Sequence, residues 1–195
     1  MAANGSAPER PTYLVAGATG VIGRRLVAAL RDQGADVRAL VRDLDRGRDI
    51  LGPDVALFEA DLAQGPDLSE AMDGVDLAYF LVHMMGSDGN YADREQSAAA
   101  AFAVAAKEAG VPRIVYLGGL GADRGGSPHL DSRHRTAETL RRFGPPLTYF
   151  RAAMIIGPGS ESYELLRSIV ELLPLAPAPS SVSYTHLTLP TNREV

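Results

Sequence analysis

Cysteine is absent from this chain. Its absence excludes a disulfide framework, thiolate chemistry and cysteine-built metal centres. No apolar run is long enough to span a bilayer, so membrane insertion is not expected. Residues 1–10 are polar and short, without the apolar core of a signal peptide, and read as a flexible lead-in to a cytoplasmic protein. Positive charge is not in excess. The formal net charge of -5 argues against a nucleic-acid partner and offers no basic face to a membrane. Lysine is nearly missing, Lys107 being the single one, and arginine supplies the rest. With heavy alanine and glycine use, this points to a GC-rich bacterial genome, a matter of codon usage rather than chemistry. No Gly-x-Ser-x-Gly elbow supports a hydrolase triad. The acids Asp88, Asp93 and Glu95 are scattered, and no metal site is expected from them.

What the chain does have is a glycine turn in the right setting. The apolar run Tyr13-Leu14-Val15-Ala16 leads into Gly17-Ala18-Thr19-Gly20-Val21-Ile22-Gly23, and Ile22, Leu26, Ala29 and Leu30 then recur at helical spacing. Strand, tight turn and helix start make a phosphate cradle. Gly17 makes a turn that a Cβ would block, Gly20 admits a pyrophosphate to the backbone, and Gly23 lets helix pack on strand. The N–H groups of the first helical turn then face the anion.

The rest of the chain fits that beginning. Strands are predicted at 13–16, 37–41, 55–59, 77–82, 113–117 and 147–151, and helices at 21–33, 68–72, 91–109, 132–143 and 161–172. The alternation implies an α/β, doubly wound parallel-sheet Rossmann domain with helices on both faces. That domain is expected to occupy 11–179, C-terminally truncated, with its substrate region incomplete.

Composition changes after about Pro179. The string from Ser180 to Thr191 has no alanine and no glycine, against the habit of the preceding chain. Residues 181–195 resemble the translation of a transposase-type sequencing adapter, with Asn192, Arg193 and Glu194 from a variable index and Val195 before a stop. The segment 180–195 is therefore expected to be non-native, and Tyr184 and His186 carry no functional weight.

The end of the second predicted strand bears on the cofactor. Folds that prefer NAD place an acid there for the ribose 2′-hydroxyl. Here Ala39-Leu40-Val41 is followed by Arg42-Asp43, with Arg46 and Arg48 nearby and Arg24 just after the glycine turn. Arg42 offers a planar cation to a 2′-phosphate. NADP is expected over NAD, with Asp43 keeping NAD open. Asp61-Leu62 follows the third strand, where a carboxylate commonly meets the adenine amine; the alternative is a helix cap or turn aspartate.

These strings resemble the extended and atypical short-chain dehydrogenase/reductases, and within them the NmrA-like and epimerase-like bacterial NAD(P)H-binding proteins. The resemblance is carried by Gly17 to Gly23, Leu40-Val41-Arg42-Asp43, Ala60-Asp61-Leu62, Tyr79-Phe80-Leu81-Val82-His83-Met84-Met85, Ile114-Val115-Tyr116-Leu117-Gly118-Gly119-Leu120-Gly121 and Phe150-Arg151-Ala152-Ala153. The resemblance implies that Leu81, Val82 and His83 lie beside the cofactor, at the carboxyl ends of the strands where ligands bind parallel sheets.

The chain departs from that family at the chemistry. Active members use a tyrosine and a lysine four residues later on one helix, with a serine near the end of the fifth strand. The corresponding helix here reads His129-Leu130-Asp131-Ser132-Arg133, and Gly118 and Gly119 stand where the serine is expected. His129 and Arg133 share a helix face by their spacing. His129 is then a candidate proton donor, or a loop or cap histidine, and Arg133 a candidate holder of substrate charge. His83 is the better placed proton-handling group, its alternative being a packing role. Tyr116 is expected in the core. The functional expectation is an oxidoreductase of the atypical type acting on a small-molecule substrate. Its rival is a non-catalytic redox sensor with a regulatory protein partner, or an accessory subunit.

Overall fold

The structure, a computed structural model, describes residues 10–83, 91–120 and 128–152, with 155, 163, 164, 167, 168 and 171; the side chains of 91, 92 and 128–130 are excepted. The chain divides into a unit Met1–Met154 and a unit Ile155–Val195.

In the first unit, six strands form one parallel sheet in the order β3-β2-β1-β4-β5-β6. They are β1 (Thr12–Ala16), β2 (Asp36–Val41), β3 (Ala56–Glu59), β4 (Leu77–Phe80), β5 (Ile114–Gly119) and β6 (Leu147–Ala152). Between them lie α1 (Val21–Asp32), α2 (Leu44–Leu51), a 3₁₀ turn (Leu62–Gln64), α3 (Ser69–Met72), α4 (Tyr91–Glu108) and α5 (Pro128–Phe143). The expected α/β doubly wound Rossmann architecture is the one observed. The order reverses between β1 and β4, which opens the ligand crevice at their carboxyl ends.

The period of two along each strand builds a core on each face. Leu14, Ala16, Leu40, Ala78 and Phe80 join Met72, Phe102 and Leu140 on one side. Val15, Val37, Ala39 and Val41 join Val27, Leu30 and Leu51 on the other. On the first side the Phe80 ring lies 5.1 Å from Phe102 and 6.1 Å from Tyr116. Alanines at 98, 99, 103 and 106 let α4 lie close over that layer.

Helix α2 was not expected from the sequence. Only Gly47 and Leu51 on it are buried, among five charged or glycine positions in eight. Asp43 starts it, its carboxylate accepting from the Arg46 N–H at 2.9 Å. Gly47 sits where a Cβ would be 3.0 Å from Val41 and 3.2 Å from Leu57, so α2 rests directly on β2 and β3. Two arginines tie loops to this frame. Arg38 Nη1 donates to the carbonyls of Glu70, Ala71 and Asp73 at the end of α3 (3.2, 3.0 and 2.7 Å). Arg48 Nη1 donates to those of Gly52, Pro53 and Val55 (3.4, 2.9 and 2.9 Å).

In the second unit, the described positions 163, 164, 167, 168 and 171 are helical, within the helix predicted at 161–172. Arg167 pairs there with Glu171 at 2.8 Å and Glu164 at 3.7 Å. The segment 180–195 lies outside the described residues.

Candidate cofactor site

The glycine turn closes at the carboxyl end of β1. Gly17 has φ +81°, and a Cβ on it would come within 2.8 Å of the Leu81 carbonyl carbon and oxygen, just beyond β4. A Cβ on Gly23 would run into the Gly17 carbonyl oxygen and stand 2.7 Å from Ala18 Cα. Both glycines are thus demanded by backbone packing. Gly20 differs: it is exposed, and its Cβ would meet only the Gly17 oxygen, at 3.3 Å. That contact is tight, asking the Gly17 oxygen to give by a few tenths of an ångström, but the rest of the space around Gly20 is open to what approaches from outside.

Gly20 is the N-cap of α1 and offers no capping side chain, and the first turn has no acid. The first intrahelical bond runs from Arg24 N–H to Gly20 C=O at 3.0 Å. It leaves the N–H groups of Val21, Ile22 and Gly23 ahead of it, without an intrahelical acceptor. Thr19, Val21 and Ile22 are half-buried around this opening. Orphan donors, a helix dipole and no competing carboxylate suit a pyrophosphate. On these grounds the residues fit a dinucleotide.

Around the turn stand the other expected residues. Arg42 is exposed just beyond β2. Arg48, by contrast, faces the loop after α2 through the three carbonyls above. Asp61 is half-buried and caps the 3₁₀ turn, Oδ1 accepting from Ala63 N–H (3.1 Å) and Oδ2 from the Gln64 amide (2.8 Å). The Gln64 bond leads the influences that hold its carboxyl below the usual carboxylate range; Ala63, Arg94 and Arg42 add to it, and partial burial opposes them. Leu62 is buried in the core. Leu81, Val82 and His83 are half-buried beyond β4, with the main chain of Leu81 and Val82 against Gly17.

His83 has an unforeseen neighbour. Its Nδ1 lies 3.4 Å from Oε2 of Glu95, a carboxylate with no exposure to solvent. Sequence reasoning had set Glu95 aside as a scattered acid, since one carboxylate on a helix reads as a solvated charge. Only tertiary contact distinguishes it.

The resemblance places a serine and a lysine near Gly118 and Arg133. Gly118 is closed to any side chain: its Cβ would be 2.6 Å from Tyr149 Cε2 and 2.8 Å from Tyr116 Cε1. Those two rings stack 5.3 Å apart. Gly118→Ser is therefore expected to lower stability by roughly 1–3 kcal/mol through overpacking, measured by urea unfolding, without raising activity. Arg133 Nη1 donates to the Leu117 carbonyl at 3.1 Å, which joins α5 to β5. Tyr116 is wholly buried and donates to the Arg133 carbonyl at 3.3 Å. Burial, the largest influence, helps push its phenol up to about 12, as befits the core role expected of it. His129 lies on α5 one turn before Arg133; its side chain is outside the described residues, as are Met84 and Met85.

A family model described as NAD(P)H-binding matches residues 17–156, from the first glycine of the turn to just beyond β6. The chain belongs to that family. It is 34% identical over 109 residues to the NAD(P)H azoreductase of Xenophilus azovorans, covering 56% of this chain and 36% of that protein. Two solved structures share the fold. The Citrobacter sp. triphenylmethane reductase complexed with NADP(H) has a TM-score of 0.63 at 24% identity, over 82% of this chain and 55% of that one. The Bordetella bronchiseptica enzyme WbmH in complex with NAD+ has a TM-score of 0.69 at 18% identity, over 84% and 62%. The chain thus spans less than two thirds of the length of each of these relatives. A nicotinamide cofactor is named for the azoreductase and for both of these structures. No described helix is long and apolar enough to cross a membrane.

Proposed function

We propose that this chain forms the NADPH-binding domain of a reductase of the atypical short-chain dehydrogenase/reductase type, acting on a small-molecule acceptor. The observation that carries the reading is the glycine turn, closed by backbone at Gly17 and Gly23 and open to a ligand at Gly20. The names of the azoreductase and the triphenylmethane reductase support a reducing role.

Gly17, Thr19, Gly20, Val21, Ile22 and Gly23 would hold the pyrophosphate, with Asp61 and Leu62 toward the adenine and Leu81 and Val82 along the other half. When bound, the cofactor supplies a hydride. The protein's part is to orient the cofactor, exclude water and handle one proton. His83 is the proposed proton-handling residue, because it follows the carboxyl end of β4 in the segment whose Leu81 and Val82 meet the turn. His129 and Arg133 are proposed as secondary contacts to the acceptor.

Purified protein is expected to bind NADPH and to oxidise it when offered carbonyl, quinone or azo acceptors, followed by loss of reduced-nicotinamide absorbance. NADPH binding without turnover on any of them would count against a reductase. NADP is preferred through Arg42. Arg42→Ala is expected to weaken NADPH by about 10- to 100-fold, the worth of one charge-assisted contact, and to leave NADH nearly unchanged. Equal losses for both would refute the 2′-phosphate role.

A second reading, a cofactor-bound redox sensor with a protein partner, is favoured by the packing at Gly118 and Arg133. Neither position presents an open proton-transfer group. Tight NADPH binding, no turnover and NADPH-dependent capture of a partner would select it.

A further inference from the structure

We propose that Glu95 is the positioning residue for His83: a buried carboxylate on α4 that fixes which ring nitrogen carries the proton. The inference rests on the proposed role of His83 for its functional meaning, although its structural content can be tested alone.

Three elements meet at this carboxylate. Glu95 comes from α4, His83 from the segment after β4, and Thr136 from α5. Oε1 of Glu95 accepts from the Thr136 hydroxyl at 2.9 Å, and Oε2 lies 3.4 Å from His83 Nδ1. Thr136 is itself wholly buried, and its hydroxyl lies 3.0 Å from the Ser132 carbonyl. Among the described residues, Arg133 on α5 and Tyr116 on β5 are charged or titratable groups near this set. Both Glu95 and Arg133 act on the Tyr116 phenol.

A carboxylate stripped of water is costly unless its oxygens are met by donors. Thr136 supplies one donor. Proton placement on His83 decides whether Nδ1 supplies another. With the proton on Nδ1 its positive N–H stands 3.4 Å from the anionic Oε2; with it on Nε2 a lone pair faces that oxygen instead. The first arrangement is therefore favoured, and the neutral ring is held as the Nδ1–H tautomer. Nε2, a buried atom, then carries the lone pair. The same logic orients histidines whose second nitrogen is held by a carboxylate in other settings.

His83 keeps 19% of its side chain open, with both ring nitrogens buried, while Glu95 has none. The carboxylate is therefore out of reach of a substrate and acts through the ring.

The test is ¹⁵N NMR of the full chain labelled at histidine, at a pH where the His83 ring is neutral, with the His83→Gln spectrum assigning the signals. The expected wild-type pattern is a pyrrole-type Nδ1 and a pyridine-type Nε2. In Glu95→Leu the ring is expected to revert toward the Nε2–H form that free histidine prefers. Glu95→Gln keeps the size of the side chain and is expected to lower the Nδ1–H population, which covers the case that the leucine variant does not fold. A wild-type ring in the Nε2–H form, or a pattern unchanged in the folded variants, overturns the proposal. Turnover separates this from the reading it rests on. If His83→Ala retains full activity, His83 is no proton donor, and the nitrogen shifts still decide what Glu95 does. If the shifts behave as expected, Glu95→Gln should also lower kcat at least several-fold with little change in NADPH affinity.

Discussion

Gly23→Ala is expected to cost about 3 kcal/mol of stability and to remove NADPH binding with it. The added methyl would strike the Gly17 carbonyl oxygen and come within 2.7 Å of Ala18 Cα. Neither is the far end of a side chain that can swing aside. Either α1 lifts from β1 or the turn unwinds, at the upper end of ordinary overpacking costs. In a domain of this size such a loss corresponds to a fall in Tm of about 6–12 °C. The N–H groups meant for the pyrophosphate move in either case. Gly20→Ala is the internal control. Its Cβ meets only one atom, at 3.3 Å, so the fold should stand while NADPH binding weakens. Thermal melts with and without NADPH separate the two, since only a bound ligand raises Tm. A Gly23→Ala protein that melts and binds like wild type would show that the turn is not packed as described.

His83→Ala is expected to lower kcat for the accepted substrate by about 100-fold or more while NADPH affinity changes little. That is the usual scale for losing a positioned general acid or base. The geometry behind it is the imidazole beyond β4, backed at 3.4 Å by a wholly buried carboxylate. The position is also one that the fold reserves for ligands, outside the carboxyl end of a strand at the sheet's reversal point. Steady-state kinetics together with direct NADPH titration make the measurement. A kcat within twofold of wild type, with binding intact, would remove His83 from the chemistry and leave it a packing residue.

Local signals made most of the sheet legible. Each of the six strands was predicted within two residues at either end, because alternating or continuous apolar runs bounded by glycine, proline and acids are local signals. Helix α2 was missed for the opposite reason: its buried surface is a glycine and one leucine, and charge hides the rest. The cofactor turn was legible because its three glycines each answer a requirement within seven residues of chain. The Glu95 contact was not, since His83 is twelve residues away and Thr136 forty-one, and nothing in the linear pattern brings them together. Arg48 shows a related difficulty. It stands near Arg42 in sequence, yet its guanidinium is engaged by three carbonyls of the following loop.

The glycines of this domain differ in what surrounds them, and that difference has a genetic consequence. At Gly17 and Gly23 the atoms in the way belong to the main chain, of Leu81 in one case and of Gly17 and Ala18 in the other. Every amino acid carries those atoms, so no exchange of a contacting side chain can make room. At Gly47 the obstacles are side-chain methyls of Val41 and Leu57, and at Gly118 the rings of Tyr116 and Tyr149. A selection for compensating second mutations should therefore recover partners for lesions at 47 and 118, and return only true revertants for lesions at 17 and 23.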